Sequence, residues 1–208
     1  MSKYKVAYVD ESDSDIRRFQ RFARNYFEVI PIKPDREIEN TASAILESQV
    51  DAVISDFDLS EQDERIHYNG DELVVSILKE RDLFPVFILT SYEDDAVSKG
   101  EDVNIVYEKN EMVKGENFLE RVKNQIEKYY NRLAMAESRL LELIEKGKKT
   151  NLDAVEEKEL TDLDSLIEKS LNKKTVIPDK IKEDLEEDKL GKLLKKVDEL
   201  AKRLEKDE

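Results

Sequence analysis

The sequence predicts an α/β fold, a doubly wound five-stranded parallel sheet, followed by an all-α helical extension. Two observations predict it. From residue 4 to about 112, short apolar runs rich in Val and Ile alternate with stretches of helical period, as strands buried between crossover helices require. After Gly115, Pro and Gly become sparse, no aromatic residue follows Tyr130, and helix is the only regular structure suggested.

The five apolar runs are Tyr4 to Val9, Phe27 to Ile32, Asp51 to Ser55, Pro85 to Leu89 and Val103 to Tyr107. Between the first two, Asp15 to Tyr26 places Ile16, Phe19, Phe22, Ala23 and Tyr26 on one helical face. Ser12 suits the N-cap, with Asp15 where a capping box wants an acid. Thr41 to Glu47 and Leu73 to Lys79 read as further helices, and Tyr92 to Lys99 permits a short one before Gly100 stops it. Right-handed crossovers then bring the C-terminal ends of all strands to one edge of the sheet, where doubly wound proteins bind their ligands.

In the extension, Leu119, Val122, Ile126, Tyr129, Leu133, Ala136, Leu140 and Leu143 alternate spacings of three and four, a heptad seam that predicts a coiled-coil-like helix over 116–146. Gly147 marks a break. Asn151 or Asp153 can cap a second helix carrying Leu160, Leu163, Leu166 and Ile167. Pro178 opens a third, with Ile181, Leu185, Leu190, Leu193, Val197, Leu200 and Leu204 as its stripe and Gly191 as its weak point. The expected organisation is a sheet domain over 1–114, a long helix over 115–147 and a helical module over 148–208. Two arrangements satisfy the stripes: the helices fold back as a bundle, or the long helix pairs with a second copy.

Composition narrows the function classes. A chain of 208 residues with 39% hydrophobic and 41% charged residues can fill a core while displaying a very charged surface. Its net charge of −15 repels a phosphate backbone, and the tail carries neither a basic recognition helix nor a Gly-rich phosphate loop, so no nucleic-acid partner is expected. The absence of cysteine rules out disulfides and thiolate metal sites. No signal-peptide core follows Met1 and no apolar run is long enough to span a bilayer, so a cytoplasmic protein with no membrane contact is expected.

The chemistry-bearing residues fall at the strand ends. Asp10 and Glu11 follow the first strand, Asp56 the third, Thr90 the fourth and Lys109 the fifth. Any one of them is better explained as an ordinary turn or cap residue. Their joint appearance after the right strands reverses that weighting. Three neighbouring carboxylates repel one another unless a cation neutralises them, and hard oxygen ligands suit Mg2+. A lysine and a hydroxyl beside them can hold the other oxygens of a phosphoryl group, which points to in-line transfer onto the Asp56 carboxylate.

Val9-Asp10-Glu11, Ile54-Ser55-Asp56, Ile88-Leu89-Thr90 and Glu108-Lys109 resemble the signature positions of response-regulator receiver domains, over residues 4 to about 130. The resemblance implies a flavodoxin-like strand order, 2-1-3-4-5. It implies that Asp10, Glu11, Asp56 and the backbone carbonyl of Asp58 hold Mg2+, that Asp56 is the phosphoacceptor, and that Thr90 and Lys109 contact the phosphoryl group. A sensor histidine kinase or phosphotransfer protein is the implied partner. The chain is then not an enzyme in its own right but a phosphoacceptor that assists its own phosphorylation and dephosphorylation.

The sequence also departs from the family pattern. Asn110 stands where Pro usually follows the lysine. The switch aromatic normally lies three positions before the lysine, where this chain has Val106; Tyr107 is one place late, and in a strand that step turns the ring to the opposite face unless a bulge restores it. Ser60 replaces a frequent Pro, and Glu61 to Asn69 is a local insertion before Gly70, with His67 expected to be exposed in it. Three functions are compatible with this pattern: a two-component signalling protein whose helical tail contacts a protein effector or a second copy, a phosphoryl sink or relay without output, and a degenerate receiver serving as a scaffold.

Overall fold

A computed structural model describes residues 3–61, 63–91, 106–110 and 117–171. Its sheet domain contains β1 (Tyr4–Val9), α1 (Asp13–Ala23), β2 (Phe27–Ile32), α2 (Ile38–Glu47), β3 (Ala52–Asp56), α3 (Gly70–Glu80), β4 (Val86–Thr90) and β5 (Val106–Glu108), followed by α4 (Asn117–Lys149) and α5 (Ala154–Leu171). All strand pairs are parallel, in the order β2-β1-β3-β4-β5. The expected strand order is therefore the observed one. The chain divides into two compact units between Tyr130 and Asn131.

The central strands read as apolar runs because they are covered on both faces. Val6, Tyr8, Ala52, Ile54, Phe87 and Leu89 point into a core completed by Ile16 and Phe19 of α1 and by Phe118, Leu119, Val122 and Ile126 of α4. The first heptad positions of α4 thus bury against the sheet. In the second unit, Ala136, Leu140, Leu143 and Ile144 pack with Leu160 and Ile167 of α5. All eight seam residues from Leu119 to Leu143 are buried within one chain. The packing of α4 on α5 is the part of the folded-back arrangement that the described residues contain.

Element ends differ from the expected ones for local reasons. Ser12 is the N-cap, as expected, so α1 begins at Asp13, and it stops at Ala23 where the Tyr26 amide bonds the Ala23 carbonyl to close a turn into β2. The break expected at Gly147 is absent: α4 continues to Lys149, with Lys146, Lys148 and Lys149 set against the negative end of its dipole. A Cβ on Gly147 would meet the Leu152 side chain at 3.5 Å, an ordinary van der Waals contact, so packing does not require glycine there. Asp153, one of the two expected caps, accepts bonds from the amides of Val155 and Glu156 at 2.9 Å. The short helix over 92–99, the start of the fifth strand over 103–105 and the third tail helix lie outside the described residues. Among the described residues, no helix is long and apolar enough to cross a membrane.

Candidate phosphoacceptor and metal site

Parallel pairing aligns the strand ends and so builds the site. Asp10 directly follows β1, Asp56 closes β3 opposite Leu89, and Thr90 closes β4 opposite Glu108. Carboxylate oxygens of Asp10, Glu11 and Asp56 lie within 4.8 Å of one another, and all three residues are buried. Lys109 Nζ reaches Asp56 Oδ2 at 2.9 Å and stands 3.9 Å from Asp10 Oδ2. The Lys109 amide donates to the Thr90 carbonyl at 2.7 Å, which ties the lysine-bearing loop to the end of β4. Thr90 is buried at this edge. The structure thus brings Asp10, Glu11, Asp56 and Lys109 together and sets Thr90 beside them.

Backbone donors fix the carboxylates. Asp10 Oδ1 accepts from the Ser12 amide at 2.8 Å, and Asp56 Oδ1 accepts from the Phe57 amide at 2.9 Å. The acidic cluster is charge-deficient in partners nonetheless. Glu11 Oε2 is buried with no hydrogen-bond partner. Burial is the main cause that pushes the Glu11 carboxyl up to about 7 and the Asp56 carboxyl to about 6, Lys109 opposing it in both, and burial likewise raises Asp10. Burial works against the Lys109 ammonium, but Asp56 and Asp10 outweigh it and raise its pKa. An orphaned buried oxygen inside an all-carboxylate set is what a hard divalent cation would satisfy, so these residues fit Mg2+.

The remaining expected residues are placed as follows. Asp58 is exposed, and its Oδ1 is bonded to the amide and hydroxyl of Ser60 at 3.1 and 3.0 Å, so its side chain is engaged in a local turn. His67 is exposed, whereas Ile66 and Tyr68 of the same insertion, and Leu59 just before it, are buried. Tyr68 anchors that loop: its hydroxyl donates to the Asp35 carbonyl at 2.7 Å and shares a 2.7 Å bond with the Thr41 hydroxyl. Val106 and Tyr107 pair with Ile88 and Leu89 residue for residue, so no bulge resets the register. The Tyr107 ring accordingly packs on Phe118, with centroids 5.1 Å apart, and on Phe87 at 6.1 Å. No cis peptide occurs among the described residues, so the Lys109-Asn110 bond is trans.

Two contributors escaped the sequence reading. Gly70 donates its amide to the Phe57 carbonyl at 2.8 Å, and a Cβ there would fall 2.1 Å from the Asp56 carbonyl oxygen. Only glycine lets α3 begin this close to the end of β3. Tyr8, fully buried, donates its hydroxyl to Asp10 Oδ2 at 2.8 Å. Strand alternation carries the signal for it, since residues two apart share a face.

The fold is flavodoxin-like. Its parallel 2-1-3-4-5 order and its acidic edge are the ones the resemblance implied. No protein-family model matches the chain, and no curated protein matches it. Among solved structures, it is similar to the anti-anti-sigma factor PhyR from Bartonella quintana, at 15% identity and a TM-score of 0.47, covering 65% of this chain and 52% of that one. It thus spans about half the length of that protein. It is also similar to the BeF3-activated DrrB receiver domain, at 21% identity and a TM-score of 0.43, covering 60% of this chain and 98% of that one. The two-component response regulator RcsB in a DNA complex is similar at 17% identity and a TM-score of 0.43, covering 82% of this chain and 92% of that one.

Proposed function

We propose that this receiver-like chain is a two-component response regulator that accepts a phosphoryl group on Asp56 and signals through protein contacts of its helical tail. The observation that carries the reading is the buried Asp10, Glu11 and Asp56 cluster with Lys109 2.9 Å from Asp56. Asp10, Glu11 and Asp56, with the Asp58 backbone carbonyl, would hold Mg2+, whose charge offsets the phosphoryl oxygens in the transition state. An Asp56 oxygen attacks phosphorus, the bond from phosphorus to the donor's leaving atom breaks, and the leaving group departs with that electron pair. Lys109 turns from the carboxylate to a phosphoryl oxygen, and the Thr90 hydroxyl donates to another. The chain assists gain and loss of this group by positioning and is not otherwise an enzyme. Its partners are a histidine kinase or phosphotransfer protein upstream and a protein effector downstream, with no nucleic acid and no membrane, in the cytoplasm.

Incubation with Mg2+ and a small acyl phosphate should add the mass of one phosphoryl group, and Asp56→Asn should abolish the gain. Failure to label under conditions that label an ordinary receiver overturns the assignment. Tyr107 packing into the core on Phe118 favours a second reading, a sink or relay without output. Partner capture with and without a beryllofluoride mimic separates the two: a change supports output, and indifference supports the sink.

A further inference from the structure

Tyr8 takes no part in the phosphoryl chemistry above, yet it is built into the site. It precedes Asp10 by two residues, and its ring lies fully buried against Phe19, stacked at 4.1 Å between centroids with planes 6° apart. A clamped ring can deliver its hydroxyl to one place only. That place is Asp10 Oδ2, 2.8 Å away, which is the hydroxyl's only hydrogen-bond partner among the described residues. On the other side of the same carboxylate, the Ser12 amide holds Oδ1 at 2.8 Å. The two donors bracket Asp10 and fix the plane of its carboxylate. Lys109 does not do this, because it sits closer to Asp56, at 2.9 Å, than to Asp10, at 3.9 Å.

We propose that Tyr8 is a positioning residue for the divalent cation, holding the Asp10 carboxylate so that it presents an oxygen to the space shared with Glu11 and Asp56. The inference rests on the Mg2+ reading of that cluster. Phenylalanine would fill the apolar slot beside Phe19 equally well, and a buried hydroxyl costs desolvation unless it is bonded. The hydroxyl therefore acts through Asp10. Donation to Oδ2 draws some charge from a metal ligand, but a carboxylate has about four lone-pair sites, so two donors leave room for a cation. Holding a ligand ready outweighs that loss at metal sites, where removing such outer partners weakens binding by about 10- to 100-fold.

The test is Mg2+ titration calorimetry on the full chain and on Tyr8→Phe at one fixed pH. Tyr8→Phe should bind about 10- to 100-fold more weakly, while labelling of Asp56 by a small acyl phosphate recovers to the unsubstituted rate once Mg2+ is raised to saturation. In an Asp10→Asn background, Tyr8→Phe should weaken binding no further, whereas a merely structural role lowers affinity in both backgrounds. Should Tyr8→Phe not fold, the unsubstituted chain labelled with 13Cζ-tyrosine decides: the Tyr8 resonance should shift saturably with Mg2+, and a silent resonance overturns the proposal. Equal affinity of Tyr8→Phe and the unsubstituted chain also overturns it. If the unsubstituted chain binds no Mg2+, the metal reading and this inference fall together.

Discussion

At the level of single side chains, the sheet edge sets three buried carboxylates against one lysine, Lys109, and this imbalance governs how they titrate. Lys109 opposes the burial that raises Asp56, so its removal should raise that carboxyl further. In Lys109→Met, the Asp56 pKa should climb above its present value of about 6 by a further unit or more, as loss of an adjacent opposite charge is worth about 1–3 units. Carboxyl carbon NMR in the absence of divalent ions checks this, and an unmoved titration would mean that Lys109 does not neutralise Asp56. Gly70 is sensitive for a different reason. An added methyl 2.1 Å from a backbone oxygen cannot be absorbed by a side-chain rotation. Gly70→Ala should therefore cost about 1–3 kcal/mol in urea unfolding and, under the proposed function, should also slow Asp56 labelling, because the oxygen it strikes belongs to Asp56 itself.

Among elements, α4 is the one whose apolar stripe serves two different cores, the sheet up to Ile126 and α5 from Ala136 onward. Leu140→Ala removes a buried side chain from the second core only and should destabilise that unit by about 2–5 kcal/mol, read as loss of amide exchange protection in α5, with Asp56 labelling unchanged. Arg139→Ala breaks its paired bonds to Glu159, but on an exposed surface where water screens the charges, so the same measurement should barely move. The seam itself was legible in the sequence because a heptad repeat records burial directly. What buries it was not, since folding back and pairing with a second copy require the same repeat. The strands and the residues at their ends were legible for a similar reason: Val and Ile runs mark buried parallel strands, and the acids fall where those runs stop. Gly147 misled because helix propensity records only a local cost of about 1 kcal/mol, too small to end a helix whose preceding turns are buried through Leu140, Leu143 and Ile144. Tyr8 was hidden among the apolar residues of β1, although its spacing from Asp10 places both on one face.

For the molecule as a whole, the acidic edge makes stability depend on pH and on divalent ions together. In the unfolded chain, Asp10, Glu11 and Asp56 titrate near about 4; folded, Glu11 titrates at about 7, Asp56 at about 6, and Asp10 is raised. Between those limits the folded state binds more protons than the unfolded one. Stability therefore falls as pH rises through this window and stays low above it, which is opposite to the behaviour of a salt-bridged carboxylate. The raised pKa of Lys109 acts in the same direction, but only at alkaline pH, outside this window. Without divalent ions, the melting temperature should thus decline from pH 5 to pH 8. The net charge of −15 adds general repulsion with the same sign, so the slope alone does not locate its cause. Glu11→Gln separates the two, because it removes the carboxyl pushed up to about 7 while changing the total charge by one. The variant should show a flatter decline. Saturating Mg2+ should flatten the unsubstituted protein's decline too, since the cation binds only deprotonated ligands and at a hundredfold excess over its Kd stabilises by about 2.7 kcal/mol. A Glu11→Gln protein that keeps the full slope, and an unsubstituted protein whose slope Mg2+ leaves intact, would together place the pH dependence in the general surface charge and not at the sheet edge.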